Sequence, residues 1–191
     1  SIDVLRCAGC PNPAEYLVTT LAFSDDGTHL AIGTSVGLFV VSVPDGELVY
    51  QHVQPVAALA PPVQHMAFGW RNQMLAVVST TGMVEIFSLI DDPNTVNPIA
   101  TLSEYTGRVA DMSYSTGQLA VGYQSGVLQL WQFGLNTWLL NDTVRIPGYL
   151  AEVGHANWGE HLVLLRYTPH SNDSEPFTFP LRLTNQTVTV F

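Results

Sequence analysis

An internal repeat constrains this chain more than any other feature of its 191 residues. Three segments align with small gaps, and a fourth copy is weaker. Each of the four carries a leucine at the same place: Leu30, Leu75, Leu119 and Leu162. Successive leucines are therefore 45, 44 and 43 residues apart. A repeat of about 40–45 residues is typical of four-stranded propeller blades, so the sequence predicts a fold built from such units.

Each copy consists of short runs rich in β-branched and aromatic residues, separated by turn residues. No stretch has helical periodicity longer than a turn or two. The first copy predicts strands at 17–23, 29–34, 38–43 and 47–53. The third copy predicts strands at 108–114, 118–123, 127–133 and about 137–143.

Small and alternating residues at fixed repeat positions indicate how the copies pack. Ala31, Ala76 and Ala120 occupy one equivalent position, where we expect the next blade to press close. In the third strands, 84–86 and 128–130 place a polar residue between two apolar ones, which predicts half-buried strands.

Two short segments resemble the WD40-repeat β-propeller family. The run 126–131 (GVLQLW) is similar to the end of a WD40 repeat, and 23–27 (FSDDG) is similar to its strand–turn segment. The resemblance covers about 17–168. The family's tryptophan is kept as Trp131 but is Phe87 in the second copy, so the repeats are degenerate and their blades depend on apolar packing.

The predicted fold is an all-β β-propeller of four-stranded antiparallel blades. Propellers have about four to eight blades, so about four copies leave open how the ring closes. The chain is part of a longer protein, which we favour, or pairs with another copy, or closes as a four-bladed ring. We assign the whole of 1–191 to a single WD40-like propeller or a portion of one, with blades at about 17–53, 62–103, 107–143 and 149–191.

The charge balance excludes some classes of partner. Asp and Glu outnumber Lys and Arg by 16 to 6, which gives a formal net charge of -10, and all six basic residues are arginines. Nucleic-acid phosphates would be repelled, and a polybasic membrane anchor is absent. With no apolar run long enough to span a bilayer and no visible signal peptide, we expect a cytoplasmic protein. Three Asn-x-Ser/Thr triplets keep secretion as an alternative.

Three local motifs could suggest chemistry, and each has a simpler interpretation. The G-x-S-x-G run at 33–37 fits a turn between strands better than a hydrolase elbow, which needs a following helix. Cys7 and Cys10 form a C-x-x-C without a second pair to complete a zinc site. The acid pairs at 25–26 and 91–92 fall in polar turns. We therefore expect no enzyme activity, no cofactor and no metal.

The resemblance implies that one face of the propeller, built from the links between blades and the turns after each second strand, binds another protein. We expect Tyr105, Arg108, Tyr123, Gln124, Arg145 and Tyr149 to lie on or near that face. Tyr and Arg often anchor interfaces, although ordinary exposed turn residues are the alternative. The predicted function is a non-catalytic scaffold whose partner is another protein or further blades of the same or a second chain. A sugar- or small-ligand-binding propeller is the second hypothesis, and an enzyme is the third.

Overall fold

A computed structural model describes residues 17–53, 62–69, 72–80, 82–90, 97–105, 107–115, 117–146, 148–157, 161–169, 177–184 and 187–190, with the backbone alone from 155 onward. These residues form sixteen strands in four four-stranded antiparallel sheets. Within each sheet the strands lie side by side in chain order. The all-β class and the four-stranded antiparallel units predicted from the repeat are therefore confirmed.

The first two sheets come from the first half of the chain. Sheet 1 contains β1 (Val18–Phe23), β2 (His29–Thr34), β3 (Gly37–Ser42) and β4 (Leu48–Val53). Sheet 2 contains β5 (Val63–Gly69), β6 (Met74–Ser79), β7 (Val84–Ser88) and β8 (Ala100–Leu102).

The other two sheets come from the second half. Sheet 3 contains β9 (Val109–Ser115), β10 (Gln118–Tyr123), β11 (Val127–Gly134) and β12 (Thr137–Arg145). Sheet 4 contains β13 (Gly148–Asn157), β14 (His161–Pro169), β15 (Phe177–Thr184) and β16 (Thr187–Val190).

A β-bulge recurs at one position in the first strand of every sheet. The pairing of β1 with β2 skips Thr19, and the equivalent extra residues in the other sheets are Gln64, Ala110 and Ala151. A bulge bends its strand and increases the local twist. The repeat therefore extends from the sequence to the detailed pairing of the backbone.

The chain divides into two compact units, 1–101 and 102–191. In every sheet, we call the face that carries the repeat position of Ala31 and Ala120 the downstream face, and the opposite one the upstream face. In the first unit, the downstream face of sheet 1 packs on the upstream face of sheet 2. The buried cluster between them contains Ala31, Leu38, Val40, Tyr50, Val63, Met66, Phe68, Leu75, Val77 and Phe87.

The second unit repeats this arrangement. The downstream face of sheet 3 packs on β13 through a cluster of Ala120, Leu128, Leu130, Ile146, Leu150 and Val153. Ala31 and Ala120 thus lie where the next blade presses close, as their repeat position predicts.

The predicted half-buried third strand is wrong for sheet 3. The sequence places Gln129 on the opposite face from Leu128 and Leu130, but all three side chains are buried. The reason is that the Gln129 amide oxygen accepts a hydrogen bond from another buried side chain, the Tyr123 hydroxyl. A satisfied amide can be buried without a large desolvation penalty.

Candidate functional site

One end of sheet 3 collects the turn and the two links that carry all six predicted site residues. β9 begins where β10 ends, since Val109 pairs with Tyr123. β11 begins where β12 ends, since Val127 pairs with Arg145. We call the segments 105, 107–108, 123–126, 145–146 and 148–149 the loop end of sheet 3.

Backbone hydrogen bonds hold the two links against the central turn. The Gln124 N–H donates to the Arg108 carbonyl at 2.9 Å, and the Gly126 N–H donates to the Tyr123 carbonyl at 2.9 Å. The Ile146 N–H then donates to the Gly126 carbonyl at 2.8 Å. The exposed residues of the loop end are therefore mounted on a fixed backbone.

Glycine is required at position 126 for two reasons. Its φ is +82°, a conformation that residues with a side chain rarely adopt. A Cβ at this position would also collide with the carbonyl oxygens of Ile146 and Gly148. The link between sheets 3 and 4 can cross the turn this closely because Gly126 has no side chain.

Two tyrosines form the base of the loop end. The rings of Tyr105 and Tyr123 meet edge to face, with their centroids 4.6 Å apart. The hydroxyl of Tyr105 lies 2.8 Å from Ser125 Oγ on the turn. The Tyr123 hydroxyl donates to Gln129 Oε1 at 3.1 Å in the interior of the sheet.

Tyr123 is a correction to the predicted partner-binding set, because its side chain is 1% exposed. Burial, and secondarily the neighbouring Tyr105, raises its pKa to about 12. The hydroxyl is thus a neutral donor at physiological pH and supports the loops from within. The Tyr123 side chain is buried because the Tyr105 ring of the preceding link packs against it. The two residues are distant in the sequence, so the local turn pattern does not show this contact.

The structure leaves four of the predicted residues on the surface: Arg108, Gln124, Arg145 and Tyr149. Neither arginine side chain has an ion pair or hydrogen bond among the described residues. Exposed guanidinium groups without an internal partner can bind carboxylates or other acceptors of a second molecule. Whether these residues contact a partner stays a prediction.

Asp111 supports the loop end and was missed by the sequence analysis. One of its carboxylate oxygens accepts the Val153 N–H of β13 at 3.0 Å, which ties sheet 4 to the first strand of sheet 3. The other accepts the Met112 N–H at 2.9 Å. A signal did exist in the repeat, because the residue after the bulge is polar in all four sheets: Thr20, His65, Asp111 and Glu152.

The other motifs have structural roles where the structure describes them. Ser35 lies between β2 and β3, a strand-to-strand turn, and its hydroxyl accepts the Leu17 N–H at 3.3 Å. Asp26 lies in the turn between β1 and β2. Cys7, Cys10 and the acid pair 91–92 lie outside the described residues.

Among the described residues, no three His, Cys, Asp or Glu side chains are grouped so that they could hold a metal ion. Within those ranges we also find no helix with the length and apolarity that crossing a bilayer requires.

No protein-family model matches the sequence, and no curated protein matches it. Solved structures similar to this one include three with TM-scores of 0.57–0.60. The computationally designed Ika8 protein (TM-score 0.57, 15% identity) matches over 78% of this chain and 42% of its own. The designed Ika4 protein (TM-score 0.60, 14% identity) matches over 86% of this chain and 91% of its own. BamB from Moraxella catarrhalis (TM-score 0.59, 12% identity) matches over 80% of this chain and 42% of its own.

These identities are low enough that the comparisons show the fold alone. The neighbours are designed propellers and a natural β-propeller, so the predicted β-propeller class is confirmed. The chain spans less than half the length of Ika8 and of BamB.

Proposed function

We propose that this β-propeller chain is a non-catalytic scaffold that binds another protein through the loop end of sheet 3. The observation that carries the proposal is the convergence of Arg108, Gln124, Arg145 and Tyr149 at one end of one sheet. Rigid mounting favours binding because fewer side chains and loops lose freedom when the partner docks.

The charge of this surface suggests the chemistry of the partner. The chain has six positive side chains against sixteen negative ones, yet two arginines without a partner among the described residues lie at the loop end. A partner segment with carboxylates would neutralise them and gain charge-assisted hydrogen bonds. The exposed Tyr149 offers an amphipathic ring beside them, of the kind that often anchors interfaces.

The spacing of the strands gives the length of the partner segment that would reach both arginines. Arg108 precedes β9 and Arg145 ends β12, at opposite edges of sheet 3. Three spacings of about 4.8 Å separate these edge strands by roughly 14 Å. An extended peptide covers this distance in about four residues, so two acidic side chains about four positions apart would reach both arginines.

The same proposal extends to the family and the setting of the protein. The segments 126–131 and 23–27 support a WD40-like origin of the blades. WD40-like scaffolds act as subunits of protein complexes, and a cytoplasmic complex is the setting that we infer.

A quantitative capture experiment tests the proposal. Immobilised wild type is compared with Arg108→Gln/Arg145→Gln, and bound proteins are measured by isotope-labelled mass spectrometry. The control is Asn136→Asp/Thr137→Asp, which makes the same change of two charge units on exposed residues at the opposite end of sheet 3. We expect the bound amount of at least one protein to fall roughly tenfold or more with the arginine variant, and to stay at the wild-type level with the control.

Equal retention of every bound protein by the wild type and the arginine variant would contradict the proposal. Sugar-specific binding on a glycan array would favour the second hypothesis, a ligand-binding propeller. A hydrolase activity lost in Ser35→Ala would favour an enzyme.

A further inference from the structure

The turn between β11 and β12 places a leucine at the tip of their hairpin. Gly134 pairs with Thr137 across the two strands, so the turn consists of Leu135 and Asn136 alone. The Leu135 side chain is 98% exposed, more than any other large apolar residue that the structure describes. Because β11 begins at the loop end of sheet 3 and runs away from it, the tip lies at the opposite end of the sheet.

The backbone of this turn does not favour leucine. The φ angles of Leu135 and Asn136 are +52° and +61°, and a two-residue hairpin turn in which both φ angles are positive is a type I′ turn. Such turns prefer Gly, Asn and Asp, because the backbone crowds a bulkier side chain at positive φ. The described residues with positive φ are five glycines, two asparagines and Leu135, which is the exception.

The fold therefore gives no reason for a leucine at this position. A single exposed leucine is ordinary on a protein surface, but here exposure coincides with an unfavourable backbone conformation. An asparagine or a glycine would suit the turn better and would expose no large apolar side chain. Backbone strain of this kind clusters at functional sites. We look for the contact that favours leucine outside the chain, because the side chain has almost none within it.

The base of the hairpin holds the tip in place. Phe133 pairs with Trp138 across the strands, and the centroids of their rings lie 5.4 Å apart. Tyr114 on β9 meets Trp138 edge to face at a centroid distance of 6.1 Å. The Phe133 N–H also donates to the Gly117 carbonyl at 2.9 Å. The tip is therefore positioned before a partner arrives, which reduces the entropy lost on binding.

The charge around the tip indicates what Leu135 contacts. No residue from 112 to 141 is charged, in a chain with a formal net charge of -10. A lipid surface is a poor candidate, because peripheral membrane sites add Lys or Arg to their apolar residues and one apolar anchor alone binds only weakly. An uncharged protein surface carries neither requirement.

We propose that the tip of the β11–β12 hairpin is a second protein-binding site, in which Leu135 enters an uncharged, apolar pocket of a partner protein. Gln132, Asn136 and Thr137 are exposed close to the leucine in the hairpin, and their amide and hydroxyl groups can hydrogen-bond to the rim of that pocket. An apolar centre with a polar rim is the usual composition of a protein interface. The site is separate from the loop end and does not depend on it.

The stability of Leu135→Asn distinguishes this role from a structural one. Asparagine tolerates positive φ better than leucine does. The variant should therefore be more stable than wild type, with an unfolding equilibrium constant reduced roughly threefold or more in urea titrations. A variant no more stable than wild type would show that leucine suits the turn, and would overturn the proposal.

Photo-cross-linking identifies the partner. Photo-leucine, a diazirine analogue of leucine, replaces Leu135 in the whole chain, which is irradiated in an extract of its native cells. We expect a cross-link to one protein at an apolar residue. An excess of unlabelled wild type should reduce this cross-link at least tenfold, whereas Leu135→Asn should leave it unchanged. Leu17→Asn is the control, the same change at a leucine that is 69% exposed before β1, and should compete like wild type.

Reciprocal variants separate this site from the loop end. Arg108→Gln/Arg145→Gln should compete like wild type, whereas Asn136→Asp/Thr137→Asp, which places charges beside the leucine, should not compete. Cross-links to lipid or to a second copy of this chain would overturn the proposal. The absence of a cross-linked protein, or competition by Leu135→Asn equal to that of wild type, would also overturn it. None of these outcomes affects the proposal for the loop end.

Discussion

The carboxylate of Asp26 organises the turn between β1 and β2 through a single oxygen. That oxygen accepts hydrogen bonds from the Thr28 N–H at 2.9 Å, the Thr28 hydroxyl at 2.7 Å and the Ser24 hydroxyl at 2.7 Å. These bonds, led by the one from the Thr28 backbone, hold the pKa of Asp26 well below its usual value of 3.8. The ionised form is therefore favoured by folding.

We expect Asp26→Asn to lower the free energy of unfolding at pH 7. Because the folded pKa is depressed, the contribution of the carboxylate is complete above the unfolded pKa and is lost as the pH falls below about 3.8. The difference between wild type and Asp26→Asn should therefore shrink on acidification.

Urea unfolding midpoints at pH 7, 4 and 2.5 measure this effect. Asp25→Asn is the matched control, because it removes the same charge one residue away, where no described hydrogen bond reaches the carboxylate. A constant difference between Asp26→Asn and wild type across this pH range would contradict the assignment.

The buried Tyr123–Gln129 hydrogen bond gives a second prediction at the residue scale. Tyr123→Phe leaves the Gln129 amide oxygen without its donor in the interior of sheet 3. We expect a loss of about 1–3 kcal/mol in the free energy of unfolding, measured by urea denaturation. Tyr123→Phe/Gln129→Leu removes both polar groups and should be more stable than the single variant. A double variant less stable than the single one would show that the bond is not the source of the loss.

At the scale of elements, close approach of neighbouring sheets depends on glycine at the end of the second strand. A Cβ on Gly33 would lie 2.7 Å from Thr20 Cγ2 and 2.8 Å from Val63 Cγ1 on the next sheet. Gly122 is in the same position in sheet 3, and a Cβ there would lie 2.5 Å from Val153 Cγ2. Sheet 2 has Val78 instead, so the glycine is a local adjustment to the neighbouring strand.

We expect Gly33→Ala to destabilise the protein by about 1–3 kcal/mol through overpacking, as measured by thermal or urea unfolding. Gly134→Ala is the control, because a Cβ there meets nothing within 4 Å. Adding Val63→Ala to Gly33→Ala removes one of the two obstructing side chains and should recover part of the loss. Equal stability of Gly33→Ala and Gly134→Ala would show that sheets 1 and 2 do not approach each other this closely at Gly33.

The elements were predictable because their signals are local. The alternation of apolar residues and the turn residues near Gly27 and Gly46 place the strands of sheet 1 within one residue of their observed ends. Tyr123 and Asp111 were not assigned correctly, because their roles depend on contacts with Tyr105 and Val153 that are distant in the sequence. The sequence therefore identifies the segments of the loop end but does not separate its supporting side chains from its exposed ones.

At the scale of the whole molecule, the way in which the blades complete a ring links stability to concentration. If the chain pairs with a second copy to complete the propeller, unfolding also separates the two chains. The unfolding temperature must then rise with protein concentration, because mass action favours the folded dimer. A monomeric ring would show no such dependence.

The size of the effect follows from the chain length. Each tenfold increase in concentration stabilises the dimer by about 1.4 kcal/mol, and an unfolding entropy of roughly 2.1 cal/mol/K per residue applies to two chains of 191 residues. A 100-fold increase should therefore raise the unfolding temperature by roughly 3 °C. Calorimetry of the whole chain across that range measures the shift. A concentration-independent unfolding temperature would mean that folding of this chain does not depend on a partner copy, and would favour a longer polypeptide or a four-bladed ring as the way in which the propeller closes.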